Sequence, residues 1–138
     1  MIILDTNIIS ELMRAAPDPA VKEWIGHQKP VHLGLSTITL AEIQRGLVRL
    51  LSGKRRSRLE ENFAQFLAKA FNGRIFSFDE DAAHLYGELT AKREKAGFHI
   101  DAVDLMIVAI AKSNNACIAT RNVNDFKGCG VEIINPWR

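Results

Sequence analysis

The sequence predicts an α/β fold in which a parallel sheet lies between helices. Three observations carry that expectation. The candidate strands are brief and continuously apolar, as strands covered on both faces must be. Segments with helical spacing of apolar residues separate them. Nothing along the 138 residues resembles a repeat, a low-complexity tract or a linker, so one domain over residues 1–138 is expected.

Each element has its own signal. Ile2-Ile3-Leu4 reads as a first strand, and Asp5-Thr6-Asn7 offers three good N-caps for a helix from Ile8 to Met13. Pro19 suits the first turn of a helix ending near Gln28. Val31 to Leu35 is a second strand, and Ser36 to Thr39 opens a helix to about Leu51, with Leu40, Ile43, Leu47 and Leu50 on one face. Ser52-Gly53 breaks it. A further helix from Ser57 to Phe71 aligns Leu59, Phe63, Phe66 and Ala70, and Asn72-Gly73 turns the chain into a third strand, Arg74 to Phe78. Asp79 caps a helix that Gly97 stops near Ala96, and Asp101 caps the next, to Asn114-Asn115. Cys117 to Ala119 and Val131 to Ile134 complete a set of five strands.

Composition excludes several classes. The chain is 47% hydrophobic and 25% charged, ordinary for a soluble globular protein. The apolar run from Leu105 to Ala111 falls far short of the ~20 residues that span a bilayer. The N-terminus has no basic leader and meets Asp5 at once, so no signal peptide and a cytoplasmic protein are expected. Cys117 and Cys129, without clustered histidines, make neither a disulfide framework nor a zinc site. Net charge is +2, which permits a nucleic-acid partner without arguing for one. Lys54, Arg55, Arg56 and Arg58, preceded by Arg45 and Arg49, form a basic cluster that reads either as a solvated helix end or as a phosphate- or partner-facing patch.

The chemistry lies in the acids. Asp104 precedes Leu105-Met106-Ile107-Val108-Ala109-Ile110-Ala111, a helix apolar on every side and therefore buried. An unpaired buried carboxylate costs several kcal/mol, so it needs a basic partner, helix N–H groups or a cation. Each acid also has a local explanation. Asp104 lies three residues after the Asp101 cap, Glu42 fits a capping box with Thr39, and Asp5 is an ordinary N-cap. Topology changes the balance. Asp5 follows strand one, Glu42 opens the helix after strand two, and Asp104 starts the helix leading into strand four. All three then fall at the carboxyl edge of the sheet, where strands one and four meet and the winding reverses. Three converging acids need a cation, and hard oxygen donors select Mg²⁺, with Mn²⁺ as an alternative. Phosphodiester hydrolysis suits that site best, with Asp5 and Asp104 holding metal, Glu42 acting on water, and Thr6, Thr120 and Arg121 near phosphate. His27, His32, His84 and His99 are scattered and form no catalytic set, and the chain has no Walker loop, G-x-S-x-G or G-x-G-x-x-G.

Ile3 to Asn7, Ser36-x-x-Thr39-x-x-Glu42, Asp104 opening an apolar helix, and Ala119-Thr120-Arg121-Asn122 together resemble the PIN-domain family. The closing Ile134-Asn135-Pro136-Trp137 resembles its VapC-type toxins, particularly the FitB-like branch. The resemblance covers the whole chain in order. It implies a PIN-like three-layer sandwich with a five-stranded parallel sheet, Mg²⁺-dependent cleavage of RNA, and inhibition by a VapB/FitA-like antitoxin. Such antitoxins join a DNA-binding part to a tail that covers the nuclease groove, so any DNA contact is indirect, and the toxin is commonly a homodimer. Many relatives carry a fourth acid where this chain has Asn122, which places it beside the substrate and puts a second metal in doubt; Asp125 is the nearest substitute. Two other readings stay open: a PIN nuclease of RNA maturation without an antitoxin, and an inactive PIN fold used for binding.

Overall fold

The computed structural model describes residues 1–98 and 101–138; His99, one of the four scattered histidines, lies outside them. Five strands, β1 (Ile2–Leu4), β2 (Leu33–Ser36), β3 (Ile75–Phe76), β4 (Cys117–Ala119) and β5 (Ile133–Ile134), form one sheet in the order β3-β2-β1-β4-β5. All pairings are parallel, and register is tight: Ile3 lies between Gly34 and Ile118, and Leu4 opposite Ala119. The expected reversal of winding at β1 and β4 is present. The strands end together, so the residues after them share one edge.

Alternation along the strands divides the core. Ile3, Ile118 and Ile133 face the layer of α5 (Glu80–Lys95), α6 (Ala102–Ser113) and α7 (Val123–Phe126). Leu4, Leu35 and Ala119 face α1 (Thr6–Leu12), α2 (Pro19–Gly26), α3 (Thr37–Val48) and α4 (Lys54–Phe66). The result is helices, sheet, helices, the three layers that continuously apolar strands require.

Departures from expectation have local causes. Val31 stays out of β2 because Pro30–His32 forms a 3-10 turn, which leaves Val31 exposed. The helix expected to run to Phe71 passes at Leu67 into a π turn, which ends at left-handed Asn72. α7 had no periodic signal because it is a single turn. Asp125 is an exposed residue of that helix. Cys117 and Cys129 are both free, and Cys129 packs in the core between Gly128 and Gly130, each at φ +78°.

Gly34 is needed for space. A Cβ built there would lie 2.5 Å from Phe76 Cε2 and 3.2 Å from Met1 Sδ. Gly34→Ala is therefore expected to cost about 1–3 kcal/mol through overpacking. Urea denaturation checks it: the midpoint should fall while the slope stays constant.

Candidate active site

Asp5 is set by the sheet. Its backbone N–H donates to the Ala119 carbonyl (2.9 Å), tying the end of β1 to the end of β4. The side chain is the N-cap of α1, with Oδ1 accepting from the Thr6 N–H at 2.8 Å. Oδ2 accepts from the Thr120 hydroxyl at 2.8 Å and from Asn7 Nδ2 at 3.4 Å. The residue is only 4% exposed. Burial pushes its pKa above the ordinary range, the bonds from Thr120 and Thr6 pull the other way, and Glu42 and Asp125 add like charge.

Glu42 is not part of a capping box. α3 starts at Thr37, and Ser36 is its cap, accepting from the Thr39 N–H at 3.0 Å. Glu42 lies beyond the first turn and is free to cross to α1, where Oε1 accepts from the Thr6 hydroxyl at 2.5 Å. The Thr6 and Thr39 hydroxyls lie 3.3 Å apart beneath it.

Asp104 stands in the first turn of α6, while Asp101 takes the cap and accepts from the Val103 N–H. Among the described residues no hydrogen bond or ion pair engages the Asp104 carboxylate. It is half-buried, shallower than the apolar helix implied. Its pKa rises to about 6, first through burial and then through Asp5, Asp101, Asp125 and Glu42.

Asp5, Glu42, Asp104, Thr6, Arg121 and Asn122 line one cleft of roughly 500 Å³. Thr120 does not. Its side chain is fully buried behind Asp5, and its hydroxyl accepts from the Asn122 N–H (3.0 Å) and Asn7 Nδ2 (3.2 Å). The end of β4 turns that side chain inward onto Asp5, away from the cleft where a phosphate contact was expected. Asn122 precedes α7 and is exposed to the cleft. Asp125 is not on the cleft wall, though its charge reaches both Asp5 and Asp104.

Sequence reasoning missed four residues here. Asn7 braces Asp5 and Thr120 and accepts from the Arg121 N–H (3.3 Å). Buried Glu11 fixes Arg14 Nη1 (2.9 Å) and accepts from the Asp18 N–H (3.1 Å). Trp137 lies under the Arg121 guanidinium at 5.2 Å. The available signal was the polar set Asn7, Glu11 and Arg14 at i, i+4 and i+7, a helical spacing that starts in α1 and runs two residues past its end at Leu12.

The donor set suits a hard divalent cation. Four carboxylates line one cleft; Glu11 is paired with Arg14, but among the described residues Asp5, Glu42 and Asp104 have no Lys or Arg ion-pair partner. Also among those residues, no three His, Cys, Asp or Glu side chains close into a ready cage.

These features define an acid-lined crevice at the switch point of a parallel sheet. The PIN domain family matches residues 2–128, and the chain belongs to it. It is 42% identical to the VapC ribonuclease Y4jK of Sinorhizobium fredii, covering 99% of this chain and 98% of that protein. It is 38% identical to Toxin FitB of Neisseria gonorrhoeae, covering 99% of both chains. The solved structure of FitAB bound to the IR36 DNA fragment matches 100% of this chain and 96% of its own, with a TM-score of 0.93 and 38% identity. Among the described residues no helix is long and apolar enough to cross a membrane.

Proposed function

We propose that this chain is a metal-dependent endoribonuclease, the toxin of a VapBC-like toxin–antitoxin pair. One observation carries the catalytic part: Asp5, Glu42 and Asp104 converge on a single cleft without a cationic side chain paired to any of them. Kinship to a VapC ribonuclease and to Toxin FitB carries the toxin part. The inhibitor is a VapB/FitA-like antitoxin, and DNA is met only through it. The reading includes a homodimeric toxin acting on RNA in the cytoplasm.

Asp5 and Asp104 would hold the ion, Mg²⁺ or Mn²⁺, with Asn122 offering a carbonyl oxygen and no charge. Bound there, a divalent ion supplies Lewis-acid activation of the phosphodiester and a lowered pKa for water. Thr120, Thr6 and Asn7 hold the Asp5 carboxylate rigid, so little reorganisation is needed when charge develops. The Glu42 carboxylate, held by the Thr6 hydroxyl, is the residue that orients or deprotonates the attacking water. Arg121, steadied on the Trp137 ring, and Thr6 are the groups that meet phosphate.

Metal binding should depend on pH through Asp104. Its carboxyl is protonated below about 6 and must lose that proton to ligate. Affinity for Mg²⁺ is expected to fall progressively as pH drops through that value, and calorimetric titration at several pH values checks it. The overall test is cleavage of cellular RNA by the purified chain, abolished by EDTA and restored by Mg²⁺. Full activity in EDTA would sink the metal mechanism. Expression without the antitoxin should arrest growth, and co-expression of the partner should relieve it.

A further inference from the structure

The basic cluster of the sequence divides into two parts with different work. Arg56 is structural: its Nε pairs with Glu60 at 2.9 Å, and Nη1 reaches the Val48 and Leu50 carbonyls at the end of α3. Arg55 and Arg58 have no carboxylate partner among the described residues. They line a groove of roughly 830 Å³ between α1, α3 and α4. That groove shares Thr6, Ser10, Arg14 and Glu42 with the acidic cleft, so the two are one continuous depression.

Arg14 stands at the junction, its Nη1 held by buried Glu11 and its side chain 65% exposed. The cations of α4 are placed against local preference. Lys54, Arg55 and Arg56 occupy its first turn, which has no acid and no side-chain cap, where the helix dipole disfavours positive charge. A helix that bears that cost projects a strong positive potential from its face, and a polyanion engaged at the neighbouring acids answers it.

Resting on the ribonuclease reading, we infer that the substrate RNA leaves the acidic cleft past Arg14 and follows the α1–α3–α4 groove, its phosphates paired with Arg14, Arg55 and Arg58. The i, i+3 spacing puts Arg55 and Arg58 on the same face of α4. Apolar Met13, Ile43 and Leu47 floor the groove between the cations. A cationic rim over an apolar floor suits a single strand, whose backbone meets charge while its sugars and bases meet apolar surface.

The test uses the full chain carrying Asp5→Asn, so that RNA is bound without being cut. Binding of a labelled mixed-sequence RNA of about 15 nucleotides is followed by fluorescence anisotropy across a salt series. Adding Arg55→Ala and Arg58→Ala should weaken binding about tenfold and lower the salt slope by about 1.4, the share of two phosphates on a single strand. Lys92→Ala with Lys95→Ala, exposed on α5, removes equal charge away from the groove and should change neither. An unchanged slope in the arginine variant overturns the inference, as does an equal loss in the lysine control. Retained RNA binding with lost antitoxin binding also overturns it, by making the groove a protein-docking surface. A parent chain that binds no RNA also overturns it, whereas failure of the wild type to cleave RNA in Mg²⁺ is the separate result that removes the ribonuclease reading.

Discussion

Asp5→Asn is expected to lower RNA cleavage by on the order of a thousandfold, matching the upper range seen when one preorganised electrostatic group is removed from an active site. The fold should survive. An asparagine oxygen can still accept from the Thr6 N–H, while its amide would face the Thr120 hydroxyl and Asn7 Nδ2 in place of an acceptor. Losing those bonds costs about 1–2 kcal/mol. Removing a buried charge whose pKa burial has raised offsets much of that cost. The measurement pairs cleavage rates over a Mg²⁺ titration with thermal unfolding of the same samples. Cleavage near the wild-type rate by the folded variant would exclude Asp5 as a ligand.

Asp104→Asn should abolish cleavage to a similar degree and yet stabilise the metal-free protein. The folded pKa of Asp104 is about 6 against an ordinary 3.8, so the folded chain binds the proton more tightly than the unfolded one. Ionised Asp104 therefore penalises folding. The penalty is full above about pH 6, shrinks as pH falls toward 3.8, and vanishes below it. The carboxylate is only half-buried, and solvent screening reduces the penalty to about 1 kcal/mol, a few degrees of melting temperature. At pH 7.5 in EDTA the variant should melt higher than wild type, and at pH 4 the two should converge. Adding Mg²⁺ should raise the wild type and leave the variant unmoved. A variant less stable than wild type at pH 7.5 in EDTA would mean that Asp104 is paired within the fold.

Much of the architecture was legible because strands buried on both faces must be continuously apolar. Ile2-Ile3-Leu4 and Cys117-Ile118-Ala119 announce themselves that way. The helix ends were less legible. Glu42 satisfied a capping pattern with Thr39, but Ser36 holds that cap in the structure, and a pattern of residue types cannot say which of several hydroxyls begins the helix. Thr120 looked like a phosphate contact because it follows a strand. Only the packed strand end turns its hydroxyl inward onto Asp5. Asn7 and Glu11 left only their shared helical spacing as a signal and Trp137 left none, because their importance lies in what they touch, which residue type does not encode.

By itself the sequence determined the parallel α/β architecture, the order in which the acids arrive at one edge, and the absence of any rival catalytic set. Those follow from apolar periodicity and chain direction, both local properties. Tertiary structure alone decided the ranking of the acids. The apolar run after Asp104 marked it as a buried acid, yet α6 presents it half-open at the cleft, while Asp5 is only 4% exposed. Tertiary structure also parted Arg56 from Arg55 and Arg58, pinning one to the end of α3 and leaving two over the groove. The physical reason is the same in both cases. Burial and charge pairing depend on which surfaces from distant parts of the chain close over a side chain, and no window of neighbouring residues contains that information.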